Sequence, residues 1–224
     1  DRIEMADFEE ALDRVLTGLK RRGIYITERE KEQIAYHEAG HALVGKLLPH
    51  ADPVHKISIV PRGEGALGFT LQLPTEDRYI VSRDELYDKL TVLFGGRAAE
   101  EIRFSSQTTG AAEDLKQATE IAKRMVVEYG MSEALGPINL GAERINIFLG
   151  EEIVKSDEHS EELSAQVDRE IIKLLRQAYA RAKELLARNR QALDRLAQEL
   201  LKREVLEGEE IDAALKDIAL QPAT

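Results

Sequence analysis

The sequence predicts a mainly α-helical α+β fold with a small inserted β-sheet or hairpin. Apolar residues recur at helical intervals through most of the 224 residues, and only two short segments alternate apolar and polar side chains as strands do. Hydrophobic residues make up 43% of the chain, which is enough to form a buried core. No apolar stretch approaches the roughly 20 residues that cross a bilayer, so we expect this chain to be soluble.

The first two predicted elements are helices. Residues 7–21 have the spacing of a short amphipathic helix. Its apolar positions are Phe8, Leu12, Val15 and Leu19. Thr27 and Glu30 then have the form of a capping box, which predicts the start of a longer helix that ends at Pro49.

A hairpin and further helices follow. Residues 56–60 and 69–73 alternate like strands and are separated by Pro and Gly, which predicts a β-hairpin. Helical spacing then predicts one helix over residues 82–102, with a serine N-cap, and another over 111–129. After a glycine-rich passage, residues 157–202 are again helical in pattern, with a break expected at Asn189.

Composition excludes several classes of function. The formal net charge of −11 opposes a phosphate backbone, so we expect no nucleic-acid partner. The chain has no cysteine, which excludes disulfides and thiolate metal sites. Any transition metal must therefore be bound by imidazole and carboxylate groups.

The segment with the clearest chemistry lies in the capped helix. His37 and His41 are four residues apart, so both imidazoles lie on one helix face and can bind the same zinc ion. Glu38 can accept a proton from a water molecule that the zinc activates for attack on a peptide carbonyl, and can pass that proton to the leaving amine. Gly40 is unfavourable inside a helix, so we expect another backbone or a ligand to approach closely there.

A third protein ligand must come from elsewhere in the chain. Periodicity places Asp114 in line with the apolar stripe of its helix, where a divalent cation would relieve the cost of burying a carboxylate. The alternative is that Asp114 only interacts favourably with the helix dipole in the first turn. Glu101 is a competing ligand, but it lies four residues after Arg97 and is expected to pair with it.

Two other motifs carry no function in this interpretation. The glycines of residues 63–68 fit a dinucleotide fingerprint, but a strand follows them where a helix would be required, so we predict a turn. Residues 40–46 resemble a phosphate loop, but Leu47 replaces the magnesium-binding Ser or Thr. We therefore expect no ATP site in this chain.

Several segments together carry a family resemblance. They are residues 36–42, 59–63, 67–70, 95–101 and 109–115, with weaker similarity at 5–11 and 207–211. The chain resembles the peptidase domain of the FtsH family, the membrane-anchored ATP-dependent zinc proteases of bacteria, mitochondria and chloroplasts. The resemblance implies that His37, His41 and Asp114 bind one zinc ion per chain and that Glu38 is the general base.

The resemblance also implies a larger assembly. Residues 1–22 would be the end of a preceding AAA+ ATPase module with its linker, 23–150 the zinc-binding catalytic core, and 151–224 the C-terminal helical part of the same domain. The parent protein would be a homohexamer that unfolds membrane and soluble polypeptides. It would be anchored through a part absent from this chain, on the cytoplasmic side of the bacterial inner membrane or in an organellar membrane.

A substrate-binding element and two alternative functions remain open from the sequence. Phe69, Thr70, Leu71 and Gln72 are the candidate edge strand to which an extended peptide could add; the alternative is an ordinary covered strand. A non-enzymatic helical assembly module with a structural metal site would not need Glu38 beside the histidines. A zinc hydrolase acting on small amides would need the same site chemistry as a peptidase.

Overall fold

A computed structural model describes residues 26–61, 67–74, 79–141 and 160–223, together with isolated positions between residues 4 and 18. The fold is mainly helical with a small sheet, as predicted. Within the described ranges the helices are α1 (Glu28–Leu47), α2 (Arg83–Leu93), α3 (Gly95–Phe104), α4 (Ala112–Val127), α5 (Glu161–Arg188), α6 (Arg190–Arg203) and α7 (Gly208–Leu215). The strands are β1 (Val54–Ser58), β2 (Phe69–Gln72) and β3 (Val205–Glu207).

Helix α1 begins as the sequence predicts and is then enclosed by the rest of the fold. The Thr27 hydroxyl accepts a hydrogen bond from the Glu30 backbone N–H at 3.2 Å, and the Glu30 carboxylate accepts one from the Thr27 backbone N–H at 2.9 Å. This pair forms the predicted capping box. From Ala35 to Gly45 every residue of α1 is buried, because α1 packs against α3 on one side and α6 on another.

The sheet has the order β2-β1-β3, and both pairings are antiparallel. The predicted hairpin is confirmed, with Ile57 opposite Thr70 and Ser58 opposite Phe69. The third strand was not predicted, because three residues are too few to show an alternating pattern. Strand β2 therefore lies at an edge of the described sheet.

The single helix predicted over residues 82–102 is wrong, because the chain forms two helices that meet at Phe94. The second of them begins with Gly95, which lies directly against Gly40 of α1. A Cβ atom on either glycine would overlap the backbone of the other helix. This contact confirms the close approach expected at Gly40.

The C-terminal helices follow the sequence prediction. Asn189 separates α5 from α6 and is buried, and its side-chain amide donates to the backbone carbonyls of Leu185 and Gln221 at 2.8 and 3.0 Å. These helices share one hydrophobic core with α1 and the sheet. None of the described helices is long and apolar enough to cross a membrane.

Some predictions fall largely outside the described residues. Within the predicted N-terminal helix, residues 7–21, the described positions 7, 8, 11, 14 and 15 are helical. Gly18 is not helical and has a positive φ of 88°, and the remaining positions lie outside the described residues. Most of the predicted turn at 63–68 is also outside it.

Candidate metal centre

Helix α1 presents two imidazoles at one point. His37 and His41 are both buried, and their Nε2 atoms lie 3.0 Å apart. The spacing of four residues brings the rings together on one face, as the sequence predicts. Gly96 of α3 packs so closely on the His37 ring that a Cβ atom at that position would overlap it. Packing therefore holds the first imidazole in place.

The first turn of α4 brings a carboxylate to the same point. Asp114 Oδ2 lies 3.2 Å from His37 Nε2 and 3.3 Å from His41 Nε2. The ligand atoms of the three residues all lie within 4.8 Å of one another. The structure thus brings together the three residues that the sequence analysis proposed as metal ligands.

In each imidazole ring, the hydrogen bond made by Nδ1 determines whether Nε2 carries a proton or a free lone pair. His41 Nδ1 lies 2.8 Å from the backbone carbonyl of Val92, which can only accept a hydrogen bond. His37 Nδ1 lies 2.7 Å from a carboxylate oxygen of Glu100. When Nδ1 donates in both rings, both Nε2 lone pairs face Asp114.

Three electron-rich atoms at these distances repel one another unless a proton or a cation lies between them. Burial opposes protonation of His37, but hydrogen bonds with Asp114 and Glu100 outweigh it and raise the pKa of His37 to about 10. Burial likewise opposes ionisation of Asp114, but hydrogen bonds with both histidines hold the pKa of that carboxyl below its usual value. The cluster therefore attracts positive charge strongly.

The donor set fits a small divalent cation. Tetrahedral zinc with bonds of about 2.0–2.1 Å to nitrogen and oxygen places its ligand atoms about 3.3 Å apart. The three observed separations, 3.0, 3.2 and 3.3 Å, are close to that value. Two imidazoles and one carboxylate also leave a fourth position for water or substrate, as catalytic zinc sites do.

Glu38 lies beside this cluster and against the sheet. The residue is buried, and its Oε2 accepts a hydrogen bond from the Thr70 hydroxyl at 2.8 Å. Gly68 borders the other oxygen, because a Cβ on that glycine would lie 2.8 Å from Glu38 Oε1. Burial raises the pKa of Glu38 above its ordinary value. A carboxylate with a raised pKa is a better proton acceptor near neutral pH.

Glu100 is a residue of this site that the sequence analysis missed. It is buried and accepts hydrogen bonds from His37, from the Thr108 backbone N–H at 2.8 Å and from the Thr108 hydroxyl at 3.0 Å. Burial opposes ionisation, but the bond from His37 lowers the pKa of Glu100. Its spacing of four residues from Gly96, within a run of small residues, is the signal that could have indicated it.

Glu101, the competing ligand in the sequence analysis, lies outside the metal cluster. Its Oε1 lies 2.6 Å from Lys183 Nζ, and its other oxygen accepts from Tyr179. The expected partner Arg97 instead donates to Gln107. The prediction that Glu101 forms an ion pair is confirmed, but the predicted partner is wrong, because α5 crosses α3 and brings Lys183 to it.

Replacement of Glu100 by Gln is expected to weaken zinc binding by about 10- to 100-fold, the usual effect of losing an outer partner of a metal-binding histidine. An amide presents N–H groups to Thr108, which itself donates two hydrogen bonds, so His37 would lose its fixed orientation. A competition titration with a chromophoric chelator measures the affinity. Glu101→Gln is the matched control and should keep the wild-type value. Unchanged affinity in Glu100→Gln would contradict this role.

A cleft of about 1220 Å³ passes over the cluster. Its walls include the three cluster residues and the edge strand β2, as well as the start of α4. This volume is sufficient for an extended segment of several residues.

Comparison with known proteins agrees with this arrangement. The sequence pattern of peptidase family M41 matches residues 24–214. The chain is 54% identical over 216 residues to the ATP-dependent zinc metalloprotease FtsH of Pseudothermotoga lettingae, which covers 96% of this chain and 34% of that protein. It is 51% identical over 217 residues to FtsH of Thermotoga maritima, covering 97% of this chain and 36% of that protein. The chain thus spans about a third of the length of the curated relatives it matches.

Proposed function

Because the chain belongs to peptidase family M41, we propose that it is the zinc-dependent endopeptidase portion of an ATP-dependent protease. The observation that carries this proposal is the convergence of His37, His41 and Asp114 on one point, with Glu38 beside them. A structural zinc would more often have four protein ligands and would need no adjacent carboxylate. The presence of only three clustered ligands, with Glu38 beside them, therefore disfavours the alternative of a helical assembly module with a structural metal site.

In this proposal the three clustered residues hold one zinc ion per chain. When bound, zinc supplies Lewis acidity, which polarises a carbonyl oxygen and makes a water molecule more acidic. His37 and His41 offer neutral nitrogen donors, fixed by Glu100 and by the Val92 carbonyl.

Glu38 is proposed as the general base. Its carboxylate lies next to the cluster, where it can take a proton from the attacking water and later give it to the amine that leaves. Thr70 holds one carboxylate oxygen, so the group has a defined orientation before a substrate arrives. The buried surroundings favour proton uptake by Glu38.

The proposed substrate is an unfolded polypeptide bound along β2. This strand pairs with β1 on one side, and no strand lies on its other side within the described residues. A peptide that adds to the edge formed by Phe69, Thr70, Leu71 and Gln72 would be held by main-chain hydrogen bonds, which depend little on sequence. It would then lie along the wall of the cleft that contains the metal cluster.

The larger assembly is part of the proposal. Relatives three times as long are named ATP-dependent, so we place ATP hydrolysis in an AAA+ module of the parent chain. Residues 1–22 would end that module, 23–150 would form the catalytic core and 151–224 would complete the peptidase domain. The parent would be a homohexamer anchored in a membrane, with the peptidase on the cytoplasmic side in bacteria.

Metal removal tests the enzymatic proposal. The purified chain should contain one zinc per chain by elemental analysis and should cleave casein, an unfolded protein that needs no ATP-driven unfolding. Treatment with 1,10-phenanthroline should abolish cleavage, and one equivalent of zinc should restore it. Zinc should also raise the melting temperature, because a ligand that binds only the folded state stabilises it. A folded chain that binds no zinc would instead support the assembly-module alternative.

A further inference from the structure

Thr70 is the point at which the edge strand contacts the catalytic carboxylate. Its hydroxyl lies 2.8 Å from Glu38 Oε2 and 3.2 Å from the Glu38 backbone oxygen. The hydroxyl has a single proton, and the shorter distance indicates that it is donated to the carboxylate. Among the described residues, no other side chain donates a hydrogen bond to that carboxylate.

Two residues of the same strand segment together fix the Glu38 side chain. Gly68 and Thr70 are two positions apart, which places them on one side of an extended chain. Gly68 leaves space for Oε1, because a side chain at that position would collide with the carboxylate. Thr70 binds Oε2. Oε2 of the carboxylate is therefore hydrogen-bonded to Thr70, and Oε1 occupies the space that a side chain at Gly68 would fill.

We propose that Thr70 is a positioning residue for Glu38 and that it links the strand that binds the peptide to the orientation of the general base. This inference rests on the proposed function, in which β2 binds the substrate and Glu38 accepts the proton. A peptide added to the outer edge of β2 would hold the backbone of Thr70 in place. The same hydroxyl would then fix the base next to the peptide bond that is cleaved.

A positioning role for Thr70 predicts different kinetics from a role in substrate contact alone. Main-chain hydrogen bonds at the edge do not depend on the hydroxyl, so its removal should leave peptide binding intact. A base whose orientation is lost acts less efficiently in the transition state. The loss of the hydroxyl should therefore appear in kcat, with KM almost unchanged.

Kinetics on casein with the complete 224-residue chain test this. Thr70→Val keeps the branched shape and removes the donor, and should lower kcat about tenfold or more, with KM within about twofold and zinc content unchanged. Thr70→Ser restores the donor and should recover kcat to within about threefold of wild type. Thr119→Val is the matched control, because its hydroxyl donates within its own helix at 2.7 Å, and it should behave as wild type.

Unfolding measurements without metal test the contact independently of activity. Thr70→Val should lower the melting temperature by a few degrees in the wild-type background and by clearly less in the Glu38→Ala background, where the hydroxyl keeps only the main-chain oxygen of residue 38, at 3.2 Å, as an acceptor. Equal shifts in both backgrounds would overturn the proposal, as would a zinc-bound Thr70→Val with unchanged kcat or with only KM raised. If the wild type binds zinc but cleaves nothing, the proposed function fails, and the unfolding cycle still decides whether Thr70 holds Glu38.

Discussion

Replacement of Glu38 by Gln is expected to abolish peptide hydrolysis while zinc remains bound. Glutamine has nearly the same size and can still accept the Thr70 hydroxyl through its amide oxygen, so the local packing should persist. It cannot take up a proton, and loss of a general base usually costs a factor of 10² to 10⁴. We therefore expect casein cleavage to fall by about a thousandfold or more.

The measurement pairs elemental zinc analysis with the rate of casein cleavage. Glu113→Gln provides the matched control, because Glu113 is an exposed carboxylate that lines the same cleft and is not a member of the cluster. It should retain both zinc and activity. Hydrolysis at the wild-type rate by a zinc-loaded Glu38→Gln variant would disprove the role of Glu38 as the base.

Local sequence signals predicted the elements that depend on neighbouring residues. The capping box at Thr27 fixed the start of α1, and the break at Asn189 was visible from its position between two amphipathic segments. Periodicity made Asp114 a candidate because it lies in line with an apolar stripe, and the structure places it against both histidines. Each of these inferences uses only spacings within one helix.

The features that the sequence pattern did not predict depend on contacts between residues far apart in the chain. The junction at Phe94 lies next to the contact between Gly40 and Gly95, which are 55 positions apart in the sequence, and helical periodicity continues unbroken across it. Glu100 was missed because a step of a single residue around the helix decides which of two adjacent carboxylates faces His37. Local spacing shows which residues share a helix face, but it does not show which distant element that face contacts.

The same glycines show how the fold positions the site. The contact between α1 and α3 at Gly40 and Gly95 lets the two backbones approach directly, and Gly96 then lies against the His37 ring. Glu100, one turn further along α3, reaches the outer nitrogen of the same ring. Small residues are thus needed where α1 and α3 meet, because this close contact places a hydrogen-bond acceptor behind His37, the first of the proposed metal ligands.

Replacement of Asp114 by Ala is expected to cost most of the zinc affinity. The variant removes one of three proposed protein ligands, so the loss should exceed the 10- to 100-fold effect of an outer partner and reach on the order of a thousandfold. Zinc content after gel filtration should fall well below one per chain. The zinc-dependent rise in melting temperature should disappear with it.

The alternative role of Asp114, an acidic residue that only favours the dipole of α4, makes a different prediction. A residue in the first turn contributes about 0.3–1 kcal/mol in this way, and its loss would lower the stability of the folded chain without releasing metal. Glu113→Ala separates the two effects, because Glu113 lies in the same first turn and shares the dipole interaction but is exposed and outside the cluster. If both variants lose the same stability and both keep one zinc per chain, Asp114 is not a ligand. If only Asp114→Ala loses zinc, the carboxylate is needed for the metal, because the dipole interaction is common to both positions.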